Sequence, residues 1–182
     1  MRVLLRFTID CDADAAWRAL HSPAALAQLY GPFLTMASLD DAPTSLAPGD
    51  DAIVSLALGP VPMGTQLIDV SEIERDHRGR RVRILRDSGI PLTGPLSTLD
   101  VWDHQMAVSV APGDPTRTLW RERLVIGGRT APLVWPTLWG VWQWREARIR
   151  ALAPTWAHDP AAEQVSAEHA SDERTSDGPA SG

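Results

Sequence analysis

From Arg2 to Asp10 apolar and polar residues alternate, with Val3, Leu5, Phe7 and Ile9 on one face, the two-residue period of a strand covered on one side. Asp12 or Asp14 then offers a carboxylate to the free amides of a helix running to Leu20. Ser22-Pro23 places a capping hydroxyl before a proline at the first helical position and opens a second short helix, Ala24 to Tyr30, which Gly31-Pro32 stops. Strands follow at Phe33 to Asp40 and Asp51 to Leu58, divided by a connection ending at Pro48-Gly49; Gly59 to Gly64 reads as a turn. Gly64 to Arg75 and Arg80 to Asp87 form the next hairpin, and Ser88 to Pro95, rich in Gly and Pro, is a loop.

The last third of the chain is the most distinctive. Leu99 to Val110 and Thr116 to Ile126 alternate again, joined by the turn Ala111-Pro-Gly-Asp-Pro115. From about Leu133 the period changes: Trp135, Leu138, Trp139, Trp142, Ile149 and Leu152 recur at three- and four-residue spacing, an apolar stripe on one long helix that Pro154 should end. A stripe so wide in aromatics needs a broad concave partner. A run of strands with helices segregated to one side predicts an α+β fold, in which a curved antiparallel sheet of about seven strands wraps the long C-terminal helix and two short helices follow the first strand.

Composition narrows the chemistry. At 182 residues and 44% hydrophobic, the chain can bury the core of one domain. All 17 basic residues are Arg; there is no Lys and no Asn, which excludes a Schiff-base lysine, a P-loop lysine and N-glycosylation. A GC-rich coding sequence accounts for that bias as well as any functional demand. Of the formal charge of -6, the residues from His158 onward hold -5, since Asp159, Glu163, Glu168, Asp172, Glu173 and Asp177 face Arg174 alone. That stretch has one large aliphatic residue, Val165, and is expected to be a disordered acidic tail, 158–182, after a domain spanning 1–157. The nearly neutral body argues against nucleic-acid binding, which rests on phosphate neutralisation. Cys11 is alone and has no disulfide partner within the chain. The apolar start is short and broken by Arg6, unlike a signal peptide, and no segment approaches the ~20 apolar residues of a membrane span, so a cytoplasmic location is expected.

The element order, the Ala13 to Leu20 helix after the first strand with Trp17 on it, and the Trp-rich final helix after the last strand together resemble the START-like (SRPBCC) superfamily, over roughly residues 1 to 156. That group includes polyketide cyclase/dehydrase-like and lipid-transfer proteins. The resemblance implies a helix-grip fold and a cavity between sheet and long helix that holds an apolar small molecule; it does not imply one reaction.

If even-numbered residues of the last hairpin face inward, Trp102, His104 and Met106 look across the concave face at Trp120, Glu122 and Leu124. A short loop centred on Gly113 would set residue 110 opposite 116 and His104 opposite Glu122, about 5 Å apart at Cβ. This His–Glu pair on an apolar wall could orient a ligand carbonyl or work as acid and base; it could equally be a satisfied structural pair. From the helix, Trp135, Leu138, Trp139 and Trp142 face the same space. Arg145 and Glu146 lie within or beside the stripe, and either could reach in as a charged anchor or keep its head in water. Trp144 falls opposite the stripe. The arginines at 75, 78, 80, 81, 83 and 86 surround a hairpin tip among acidic residues and read as a solvated edge. No phosphate loop, nucleophile elbow or convergent metal-ligand set is visible, so no cofactor and no metal are expected. Three functions remain open: a binder of a hydrophobic small molecule, a cyclase/dehydratase-like enzyme using His104 and Glu122, and an interaction module whose grip is filled by some of its eight tryptophans.

Overall fold

A computed structural model describes residues 1–32, 34–39 and 51–156 of the 182-residue chain. The acidic stretch from His158 onward and the 41–48 connection lie outside the described residues. Strand β1 (Arg2–Ile9) is followed by helices α1 (Ala13–His21) and α2 (Pro23–Tyr30), strands β2 (Leu34–Ser38), β3 (Asp51–Leu58), β4 (Val61–Asp76), β5 (Arg81–Asp87), β6 (Val101–Ala111) and β7 (Asp114–Gly127), and the long helix α3 (Ala131–Trp156). All neighbouring strands are antiparallel, in the order β1-β7-β6-β5-β4-β3-β2, and the inner face of the curled sheet packs on α3. This is the α+β helix-grip arrangement that the element order predicts.

Local chemistry sets the boundaries. In β1 exposed and buried residues alternate, and Val3, Leu5, Phe7 and Ile9 all enter the core. The Asp12 carboxylate accepts from the amides of Asp14 and Ala15 at 2.9 and 2.8 Å, capping α1, while the Ser22 hydroxyl accepts from Ala25 N and Pro23 starts α2. The turn expected over Gly59 to Gly64 contracts to Gly59-Pro60, because Val61 already pairs with Leu58. Gly64 and Gly94 carry positive φ and approach each other closely. A Cβ on Gly64 would lie 2.1 Å from Thr93 O and one on Gly94 2.0 Å from Met63 O, so the β5–β6 connection is pinned against the start of β4.

The last hairpin departs from the expected register. Its turn is Pro112-Gly113, and Ala111 pairs with Asp114; Val110 then pairs with Thr118, leaving residues 115–117 out of register on β7. The cause is local: Asp114 Oδ1 accepts from both the amide and the hydroxyl of Thr116, at 3.0 and 2.6 Å, and Pro115 has no amide to give to the ladder. The slip is of two residues, so every side chain keeps its face.

Helix α3 starts at Ala131 and continues through Pro154 to Trp156, beyond the expected stop. Trp156 is buried and packs at a tilt on Trp120, ring centroids 6.0 Å apart, which holds the final turn to the core. The buried stripe runs Leu138, Trp142, Arg145, Ile149, Ala153, Trp156. Its axis is rotated from the expected one: Leu152 is half-buried and Trp139 is 48% exposed. Glu146 stays outside, half-buried and paired with Arg150 at 2.8 Å, so of the two charged residues it is Arg145 that enters the core. No helix among the described residues is long and apolar enough to cross a membrane.

Candidate functional site

Between the inner face of β2–β6 and helices α1–α3 lies a cavity of about 220 Å³. Most of its wall is aliphatic: Leu20 and Leu26 from the short helices, Ile68, Val70 and Leu85 from β4 and β5, and Val134, Leu138 and Val141 from α3. Its open side is apolar as well. Met36 and Leu58, 37% and 50% exposed, stand there beside Met63.

The far side is polar and dry. Alternation along β7 points Glu122 inward between Trp120 and Leu124, all three buried, and the Trp120 indole Nε1 donates to Glu122 Oε1 at 3.0 Å. Helical spacing brings Arg145, one turn after Trp142, to the same place. Its Nε donates to both Glu122 oxygens at 2.9 and 3.2 Å, its Nη2 lies 3.1 Å from Met106 Sδ, and its guanidinium covers the Tyr30 ring at 4.9 Å. Removing either charge would strand the other without water, which is far costlier than losing both.

These contacts set the ionisation of the cluster. Burial pushes the Glu122 carboxyl up, but the Arg145 charge and the nearby His104 outweigh it and bring the group down to about 2. Burial likewise works against the Arg145 guanidinium, and Glu122 and Tyr30 more than offset it, so the cation is held more firmly than usual. Tyr30 is raised, chiefly by burial. Asp87 behaves in the opposite sense to Glu122: burial raises its carboxyl, and the charge of His104 and the amides of Gly89 and Asp69 only partly counter that. Cys11 is buried and its thiol is pushed to about 12 by burial and by Asp12, which leaves no nucleophile there.

The residues singled out from the sequence separate into groups. Trp102, His104, Met106, Leu138, Trp142 and Arg145 line the cavity. Trp120, Glu122 and Leu124 are buried behind that lining, Glu122 reaching it through Arg145 and His104. Trp135 is turned toward the sheet edge, where its Nε1 donates to Arg2 O at 3.0 Å, and Trp139 faces outward. Trp144 is half-buried. His104 is not opposite Glu122: His104 pairs with Leu124, and Met106 with Glu122. The two still approach diagonally, His104 Nε2 lying 3.6 Å from Glu122 Oε2, near enough for charge to act and too far for a hydrogen bond. His21 is half-buried between Trp17 O and Glu72. Three of the six hairpin arginines are engaged in ion pairs, Arg81 with Glu74, Arg83 with Asp14 and Arg86 with Asp103, each at 2.6 Å.

Sequence reasoning missed Asp87 and Tyr30. Asp87 is directly opposite His104 in the β5–β6 pairing, so His104 stands between two carboxyl groups that their surroundings shift in opposite directions. The alternation of β6 gives the inward face of His104, but which β5 residue meets it depends on the loop from Ser88 to Asp100, whose path no local pattern gives.

No protein-family model and no curated protein matches the chain. Solved structures do. A protein from Chromobacterium violaceum aligns with a TM-score of 0.57 at 16% identity, over 87% of this chain and 98% of that one. Norcoclaurine synthase of Thalictrum flavum in complex with a transition-state analogue aligns at 0.59 and 15% identity, over 85% and 94%. The same synthase with dopamine and hydroxybenzaldehyde gives 0.56 and 15%, over 87% and 88%. At such identities the likeness is one of fold.

Proposed function

The chain has the START-like (SRPBCC) helix-grip fold, and from that premise we propose that it binds a hydrophobic small molecule between its sheet and its long helix. The observation that carries this reading is a cavity walled by aliphatic side chains whose open side is formed by exposed Met36 and Leu58. A few polar groups in an otherwise apolar pocket is the usual make-up of a ligand site. At about 220 Å³, below the usual range of roughly 300 to 1,000 Å³, it suits a ligand of one or two rings rather than a long lipid. The neutral dye N-phenyl-1-naphthylamine should bind saturably with one site per chain and brighten as it leaves water. Val70→Trp, which fills the space from the β4 side, should suppress that binding while the protein stays folded. Undiminished binding by the filled variant would overturn the proposal.

A second reading, proton transfer on the bound molecule, is favoured by one observation: His104 and Asp87 stand directly opposite each other and both line the cavity. An imidazole and a carboxyl on one cavity wall are groups that can pass a proton to or from a bound molecule. The reading of a grip filled by its own tryptophans loses support, since Trp135 and Trp139 turn away from the space they would have to fill.

A further inference from the structure

The cavity's buried polar atoms are unevenly satisfied. Glu122 accepts from Arg145 and Trp120. By contrast Arg145 Nη1, His104 Nε2 and Trp142 Nε1 are buried and have no protein hydrogen-bond partner, although Arg145 is 0%, His104 5% and Trp142 5% exposed. All three residues line the cavity. They also form one cluster: Trp142 precedes Arg145 by three residues on α3, and the His104 ring meets the Trp142 ring edge-on with centroids 5.1 Å apart.

The chemistry of these atoms narrows what they lack. A guanidinium and an indole nitrogen can only donate, and an imidazole nitrogen can donate or accept according to its tautomer, so Arg145 and Trp142 set the requirement. Buried donors without acceptors cost free energy comparable to a lost hydrogen bond. The missing partner is therefore an acceptor. Its charge follows from the neighbours: the Arg145 cation is already neutralised by Glu122 at 2.9 Å, and Asp87 is a second carboxyl on the same wall. A further anion would be repelled by the Glu122 and Asp87 carboxyl groups, whereas an uncharged oxygen can accept from the same donors without that opposition.

We propose that the ligand of this cavity is an apolar molecule ending in a neutral carbonyl oxygen, and that Arg145 Nη1, with His104 Nε2 and Trp142 Nε1 beside it, donates to that oxygen. This rests on the cavity-binding reading above and adds the headgroup to it. Met36 and Leu58 at the other end receive the hydrocarbon part.

The test uses the full chain and matched naphthalenes that differ only at the head: 2-acetylnaphthalene, 2-isopropenylnaphthalene and 2-naphthoate, titrated by calorimetry. The ketone should bind roughly ten- to a hundredfold tighter than the alkene, as one hydrogen bond from a charged buried donor gives, and 2-naphthoate no tighter than the alkene. In Glu122→Gln/Arg145→Met, which removes both charges and keeps an acceptor for Trp120, the ketone preference should fall to within about threefold while the alkene affinity holds. Trp142→Phe keeps most of the ring and removes one donor, and should cost the ketone alone roughly two- to tenfold; it serves where the double variant does not fold. Equal affinities for ketone and alkene in the unaltered protein would overturn the carbonyl anchor and leave cavity binding standing. Tightest binding of 2-naphthoate would overturn the neutral head in favour of an anion. Binding of none of the three would overturn both the anchor and the cavity reading.

Discussion

Arg145 donates through Nε to both oxygens of Glu122, at 2.9 and 3.2 Å, with each side chain fully withdrawn from water. The pair ties the middle of α3 to the second half of β7, and it is asymmetric under mutation. Arg145→Met alone should destabilise the protein by about 3 to 5 kcal/mol, because an uncompensated carboxylate stays buried. Glu122→Gln/Arg145→Met should recover most of that loss. Urea unfolding of the single and double variants measures both, and a double variant no more stable than the single one would contradict the account.

Acid should unfold the protein partly through the same residue. Glu122 titrates near 2 in the folded chain and in the ordinary carboxylate range when unfolded, so across that window the unfolded chain binds more protons and stability rises with pH. Its contribution, a few kcal/mol at most, is complete above the unfolded value and lost as pH falls toward about 2. Asp87 has the opposite sign. Its folded form keeps the proton to higher pH than the unfolded chain, so stability falls as pH rises through the folded value. Melting temperatures of the native protein and Asp87→Asn from acid to neutral pH should differ least in acid and diverge as pH rises, with the Asn variant free of the decline.

The tryptophans of α3 should separate sharply in energetic weight. Trp142 is 5% exposed and packs on Trp102 and His104, so Trp142→Ala should cost about 3 to 5 kcal/mol. Trp139 is 48% exposed, and Trp139→Ala should stay within about 0.5 kcal/mol of the native protein. Denaturant midpoints decide; comparable losses at both positions would mean that the helix is rotated from the orientation described.

Binding and proton transfer part company at His104 and Asp87. His104→Gln and Asp87→Asn should retain 2-acetylnaphthalene binding within about tenfold. Where the site only binds, exchange of the ketone's methyl protons with deuterated water, followed by NMR, should match the solvent background. Exchange that is faster than background and falls by about two to four orders of magnitude in either variant would instead identify an acid–base pair.

Much of this arrangement is legible along the chain, because period-two alternation places Trp102, His104, Met106, Trp120, Glu122 and Leu124 on the buried face whatever the register. The register itself is not, since the Asp114 side chain gathers Thr116 into the turn and moves the pairing by two residues. The phase of α3 is obscured for another reason. Hydropathy puts Trp139 inside and leaves Arg145 at the margin, yet the inward orientation is decided by Glu122, a residue on another element that makes burial of a guanidinium tolerable. Asp87 is hidden in the same way: its role depends on facing His104 across a strand pair joined by a long loop.

The interlock of Gly64 with Gly94 has a consequence for how this scaffold can diversify. It anchors Met63 and Leu96, which border the cavity, through backbone packing on β4 and the β5–β6 connection, while the donors come from β6 and α3. The two ends of the site thus belong to different parts of the fold. Substitutions around the glycine interlock can change how much hydrocarbon is admitted without disturbing the headgroup, so size selection and chemical selection can drift independently.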